Sequence, residues 1–283
     1  MGRRDGVRLK NVDSMHTIMP LMYPNRCDNE AFITEVIDIT NINKYLEKKN
    51  ASDPVYKYKL FQVVVVTMLK VLTLRPKMNR FITRQRLYQR NEVSAAFTIK
   101  KIFADESDEA LASIHARPED TMDSIHDQIY KQVSFCRSDS KDPSTESMDV
   151  LNKLPDWLLQ FVGFIARIAD RHGWMPKSVI ETDPYQHAVV LTNLGSIKLH
   201  AGYHHLTNWG TCSVFVVIGD IRKRKFMDEE GNESIRDSVE LNLIIDERIA
   251  DGYYYSRTVR LLKKLLENPE LLDRPLNEEV GEY

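Results

Sequence analysis

Residue types able to do chemistry gather in the last third of the chain. Two carboxylates four residues apart, Glu247 and Asp251, precede Gly252 in the frame Glu247-Arg248-Ile249-Ala250-Asp251-Gly252, and three histidines, His187, His204 and His205, lie upstream. Histidine exchanges a proton near neutral pH. Each of the three therefore reads either as a general base or as an ordinary loop histidine. They make no convincing metal site, because no acidic or sulfur ligand stands at the usual spacing. A carboxylate needs help to act as a base. Its ordinary pKa is about 4.3, against about 8.5 for a thiol, and a general base works best with a pKa near the working pH. Burial raises a carboxyl pKa by several units. Glu247 reads either as such a buried group or as a solvated turn residue. None of the 11 glycines builds a phosphate-cradling loop, and there is no Gly-x-Ser-x-Gly elbow.

The elements that must position these residues belong to a chain of 283 residues, long enough for one large domain or two small ones, with a substantial core. A net charge of -2 gives no general attraction for nucleic acid. The local basic run Arg222-Lys223-Arg224-Lys225, close to Asp228-Glu229-Glu230, reads as a solvated turn. Cys27, Cys136 and Cys212 are odd in number and widely spaced, which argues against a disulfide framework or a zinc site. The opening Met1-Gly2-Arg3-Arg4-Asp5 is not a signal peptide, and Gly6 stands where a myristoylation pattern needs Ser or Thr. No apolar run reaches the roughly 18 residues of a spanning helix, so a membrane span is not expected and a reducing cytoplasm is.

Alternation at Ile33, Val36, Ile37 and Ile39 predicts a strand, followed by a helix over Ile42–Lys49. The stretch Lys57–Leu74 contains Val63-Val64-Val65-Val66 but is long, and reads as a buried helix ended by Pro76. Short strands follow near Phe81-Ile82 and over Ala95–Ile102. Met122, Ile125, Ile129 and Val133 mark an amphipathic helix over Thr121–Ser134. Ser138–Ser147 is a linker-like stretch, read as a surface loop within one domain, with a linker between two domains as the alternative. Leu154–His172 is a helix apolar nearly all round, read as a core or packing helix, with a lid or an oligomer contact as sharper alternatives. Strands over Ala188–Thr192, Ser213–Ile218 and Val239–Ile245 follow, the last half-buried by its alternation. A helix over Tyr254–Glu267 closes before Asn268-Pro269. Strands mixed with long helices predict an α/β domain in which a mixed β-sheet packs with helices.

Several landmarks recur in a fixed order: Leu191-Thr192-Asn193-Leu194-Gly195-Ser196, Val214–Gly219, Arg222–Lys225, Leu243–Gly252 and Leu265–Leu272. Together they resemble the catalytic domain of the dihydrolipoamide acyltransferases of 2-oxo acid dehydrogenase complexes. Upstream, Tyr58-Lys59-Leu60-Phe61 through Pro76–Ile82 looks like chloramphenicol acetyltransferase. The resemblance implies the chloramphenicol acetyltransferase-like fold over residues 1–283 as one domain, bare of lipoyl and subunit-binding domains. It implies transfer of an acyl group from a thioester such as coenzyme A to a thiol or hydroxyl acceptor. No cofactor would be held permanently; coenzyme A or acyl-coenzyme A would be a substrate. A homotrimer with sites between subunits is expected.

The family motif reads His-x-x-x-Asp-Gly, and here Glu247 stands at the histidine. The resemblance implies that the residue at 247 is the base, that Asp251 braces the loop through an ion pair, with Arg8 a possible partner, and that Thr192 donates its hydroxyl to the oxyanion. A fixed donor there stabilises the charge that develops on the carbonyl oxygen; Thr192 also reads as a strand-end residue bonded to backbone. Gly252, Asn193, His204 and His205 are the expected substrate contacts. The alternative is a catalytically inactive relative that keeps the fold as a ligand-binding or regulatory scaffold.

Overall fold

A computed structural model describes residues 3–100, 109–137, 151–228 and 230–283. Its strands are β1 (Gly6–Arg8), β2 (Glu30–Asp38), β3 (Arg80–Thr83), β4 (Arg86–Arg90), β5 (Val93–Lys100), β6 (Glu109–Ala116), β7 (Val189–Asn193), β8 (Val214–Ile218), β9 (Arg222–Met227) and β10 (Glu233–Asp246). Its α-helices are α1 (Ser14–Met22), α2 (Thr40–Asn50), α3 (Leu60–Leu74), α4 (Met122–Arg137), α5 (Asp156–His172), α6 (Lys177–Thr182) and α7 (Gly252–Glu267). Among the described residues the strands form two sheets. One has three strands in the order β1-β4-β3. The other has seven, in the order β2-β10-β8-β7-β5-β6, with β9 beside the first part of β10. β7 runs parallel to β5 and β8, and the other pairs are antiparallel. This is the mixed α/β architecture expected from the sequence.

The centre of the large sheet, β7, β8 and the second half of β10, is buried on both faces. Val189, Leu191, Val214, Val216, Leu241, Leu243 and Ile245 share one core with α3 and α4. The alternate residues Val190, Phe215, Val217 and Ile244 pack with Leu206 and Cys212 on the other side. The half-buried reading of Val239–Ile245 is thus corrected. The segment between β7 and β8 crosses the second face, and Asn242 Nδ2 donates to the Ala201 carbonyl at 3.0 Å. Helix α3 carries the valine run, buried from Gln62 to Leu72, and packs against α4, α7 and β5. Burial on all sides suits so apolar a helix, and it stops two residues before Pro76. Met122, Ile125, Ile129 and Val133 are buried as their spacing predicts.

Three further readings change. Arg222–Lys225 is strand β9 rather than a turn. Its residues are solvated, and each basic side chain has an acidic partner: Arg222 with Asp220, Lys223 with Asp237, Arg224 with Glu240, and Lys225 with Glu233. Helix α5 is not a core helix within this chain. Of its residues Asp170 is buried, while Trp157 is 71% exposed and Phe161, Phe164 and Ile165 stay largely exposed. Apolar spacing fixes a face but not what covers it. Strands β4 and β6 have no counterpart in the sequence reading. Ser138–Ser147 and the last two positions of the strand read over Ala95–Ile102 lie outside the described residues.

Candidate functional site

The loop after β10 is fastened at several points. Asp246 is fully buried and pairs with Arg248 through both carboxylate oxygens, each at 2.7 Å. Arg248 also donates to the carbonyls of Tyr23 and Pro24. Arg26, itself buried, stands 3.6 Å from Asp246. Tyr255 Oη donates to the Asp246 carbonyl and accepts from the Ala250 amide. Burial drives the Tyr255 hydroxyl well above its ordinary pKa, so it stays a neutral strut. Asp251 caps α7 by accepting the Tyr254 amide at 2.9 Å, which holds its carboxyl below the usual range. The ion-pair partner of Asp251 is Lys77, at 3.8 Å, and not Arg8. Bracing by Asp251 is therefore mostly a helix cap.

These contacts leave the Glu247 side chain exposed. Its backbone amide donates to the Asn29 carbonyl. Glu247, Asp251 and Gly252 line one cleft of about 430 Å³ together with Met15, His16 and Tyr255.

Thr192 lies elsewhere, near the end of β7. Its hydroxyl has no hydrogen-bond partner among the described residues, so it is not tied to backbone. Thr192, Asn193 and His204 line a second cleft of about 340 Å³ with Phe97, Tyr185 and Phe215. Asn193 caps the short turn that follows, accepting from the Ser196 amide and hydroxyl. His204 stacks on Phe215 with ring centres 4.1 Å apart. His205 is exposed and does not line this cleft. His187 is nearly fully buried, outside both clefts, and neither ring nitrogen has a partner of good hydrogen-bond geometry. The turn after β7 rests on a close backbone approach: a Cβ at Gly195 would meet the Gly219 carbonyl oxygen at 2.4 Å. Gly195→Ala should accordingly cost about 1–3 kcal/mol by overpacking, read by urea unfolding; wild-type stability in that variant would contradict the packing argument.

The two clefts are far apart. Thr192 pairs with Val217, and Val217 with Asn242. Glu247 follows five residues further along, about 16 Å at roughly 3.3 Å per residue. One chain thus presents two separate clefts. The sequence pointed to both loops but missed Arg26, Tyr255 and His16. Buried Arg26 carries no sequence signal, and His16 lies in the N-terminal helix, remote in the chain from either loop.

The mixed sheet, with Thr192 near the end of β7 and β10 running into the Glu247 loop, is shared with solved structures of the chloramphenicol acetyltransferase-like fold. A probable dihydrolipoamide acetyltransferase from Listeria monocytogenes matches with a TM-score of 0.60 at 14% identity, over 98% of this chain and 99% of that one. The dihydrolipoamide acetyltransferase of Azotobacter vinelandii matches with a TM-score of 0.60 at 14% identity, over 93% of each chain. A chloramphenicol acetyltransferase matches with a TM-score of 0.54 at 10% identity, over 93% of this chain and 98% of that one. More specifically, residues 179–273 match the 2-oxoacid dehydrogenases acyltransferase catalytic domain. No curated protein matches in sequence. Among the described residues, no helix is long and apolar enough to cross a membrane.

Proposed function

We propose that the protein transfers an acyl group from a thioester, coenzyme A or a similar carrier, to a small thiol or hydroxyl acceptor, at sites formed between copies in a homotrimer. One observation carries this reading: the stretch matching the acyltransferase catalytic domain, residues 179–273, contains both Thr192 and the Glu247–Gly252 loop. The separation of the two clefts within one chain supports closure by a second copy. So does the exposed apolar side of α5, where Trp157, Phe161, Phe164 and Ile165 recur at helical spacing. In the assembled site the unpartnered Thr192 hydroxyl donates to the oxyanion, while the cleft beside Glu247, Asp251 and Gly252 receives the acceptor. Asn193 and His204 shape the donor side.

The test is turnover of acyl-coenzyme A with a panel of thiol and hydroxyl acceptors. Loss of one oxyanion donor costs about 10²–10³ in kcat, so Thr192→Val should fall by that factor with KM little changed. A wild-type rate in Thr192→Val removes the hydroxyl from the mechanism. Light scattering should give three chain masses, and a monomer would remove the shared site. A second reading rests on Glu247 standing where the resemblance expects histidine: an inactive scaffold that still binds acyl-thioester. Binding of acyl-coenzyme A by calorimetry, with no turnover by wild type and gain of turnover in Glu247→His, would favour it.

A further inference from the structure

The cleft beside Glu247 is also lined by a histidine. His16 lies in the first turn of α1, and that helix packs against the turn Glu247–Ile249. Its ring lines the same cleft as Glu247, Asp251, Gly252 and Tyr255. The side chain is only 12% exposed, against 64% for its neighbour Asp13. Asp13 caps α1 and uses both carboxylate oxygens on His16: one accepts the backbone amide at 3.0 Å, the other meets ring Nδ1 at 2.7 Å. A carboxylate only accepts, so the proton of the neutral ring sits on Nδ1. Nε2 then carries the lone pair, and it has no partner among the described residues. A histidine that lines a cleft, held in one tautomer by a carboxylate and with its other nitrogen unpartnered, has the makings of a general base; the carboxylate also stabilises the imidazolium that forms.

We infer that His16, oriented by Asp13, is the base of this site, in place of the residue at 247. The inference rests on the acyl-transfer reading above. The acceptor's S–H or O–H proton passes to His16 Nε2 as its sulfur or oxygen bonds to the thioester carbonyl carbon. The tetrahedral oxyanion then collapses. The carbon–sulfur bond of the donor breaks, and the leaving thiolate takes the proton back from Nε2. No other reactant is needed. Asp13 acts through His16 and is a positioning residue. Glu247, lining the same cleft, is left to contact the acceptor rather than deprotonate it.

Three enzymes are compared in acyl-coenzyme A turnover: wild type, His16→Gln and Asp13→Ser, each checked for folding by circular dichroism. Removing a general base costs about 10²–10⁴-fold, so His16→Gln should lose at least the lower factor, and Glu247→Gln less than His16→Gln. Serine keeps the helix cap but frees the ring. Asp13→Ser should therefore turn over more slowly and, by ¹⁵N NMR of the imidazole, lose the Nδ1–H tautomer. Wild-type turnover retained by a folded His16→Gln overturns the assignment and leaves acyl transfer standing. An unchanged rate and unchanged tautomer in Asp13→Ser overturns it too. No turnover by wild type with any acceptor sinks the acyl-transfer reading, and His16's role with it.

Discussion

Arg248→Ala is expected to lower the unfolding free energy by about 3–5 kcal/mol, the cost of leaving a buried ion unpaired. Asp246 and Arg248 are both essentially inaccessible, and their two parallel hydrogen bonds are charge-assisted. Truncation also strands the carbonyls of Tyr23 and Pro24. Arg26 is the reason to expect the lower end of the range, because it remains 3.6 Å from Asp246 and can share its charge. Burial lowers the pKa of Arg26, and the nearby Asp246 carboxylate opposes that fall. Urea unfolding of wild type, Arg248→Ala and Lys77→Ala makes the comparison. Lys77 pairs with Asp251 near the surface, where an ion pair contributes about 0–1 kcal/mol. Equal losses from the two substitutions would mean that the buried network does not hold the loop.

Stability should also fall steeply in mild acid because of His187. Burial, with His115 and Arg90 nearby, pushes its pKa from 6.5 down to about 3 in the folded chain. Above pH 6.5 the ring is neutral whether the chain is folded or not, and its contribution is complete. Below 6.5 the unfolded chain binds a proton that the folded chain refuses. The protein loses about 1.4 kcal/mol per pH unit from this ring, and the loss continues as pH falls toward the folded value. Other groups titrate in the same range, so the measurement is a difference: urea unfolding of wild type and His187→Gln at several pH values from 7.5 to 4.5. The wild-type curve should be steeper below pH 6.5 by that amount. Parallel curves would show that the ring is not held neutral.

How much of this was legible in the sequence follows from which interactions are local. Helix α3 and strand β8 were readable because length, β-branched runs and Pro76 act within a few residues. The pairing of basic β9 with β10 was not, since a charged edge strand guards an edge against association and looks like a loop without its partner. Thr192 and Glu247 were readable as loop-end residues. Their separation within one chain was expected through the family resemblance alone, because in the residues it depends on the register from β7 through β8 to β10. His16 became visible only when α1 came to rest against the Glu247 turn. Helix α5 marks another boundary: the sequence read it as apolar nearly all round, whereas its apolar residues gather on one side, where Trp157, Phe161, Phe164 and Ile165 stay exposed.

The pairing of β2 with β10 sets a timetable for folding. Glu30 lies opposite Asp246 in the register of these two strands. During synthesis at about 5–20 residues per second, roughly 10–40 s separate the emergence of one strand from the other. Through that interval β2 has no sheet partner, and Phe32 and its neighbours face solvent or chaperone. The central β5-β7-β8 strands likewise wait for parallel neighbours distant in the chain, and non-local pairing is slow to form. Refolding from denaturant should then run in seconds rather than milliseconds, with aggregation competing at high concentration, because the last strand to be made is the one to which β2, the first strand of the large sheet, must bind.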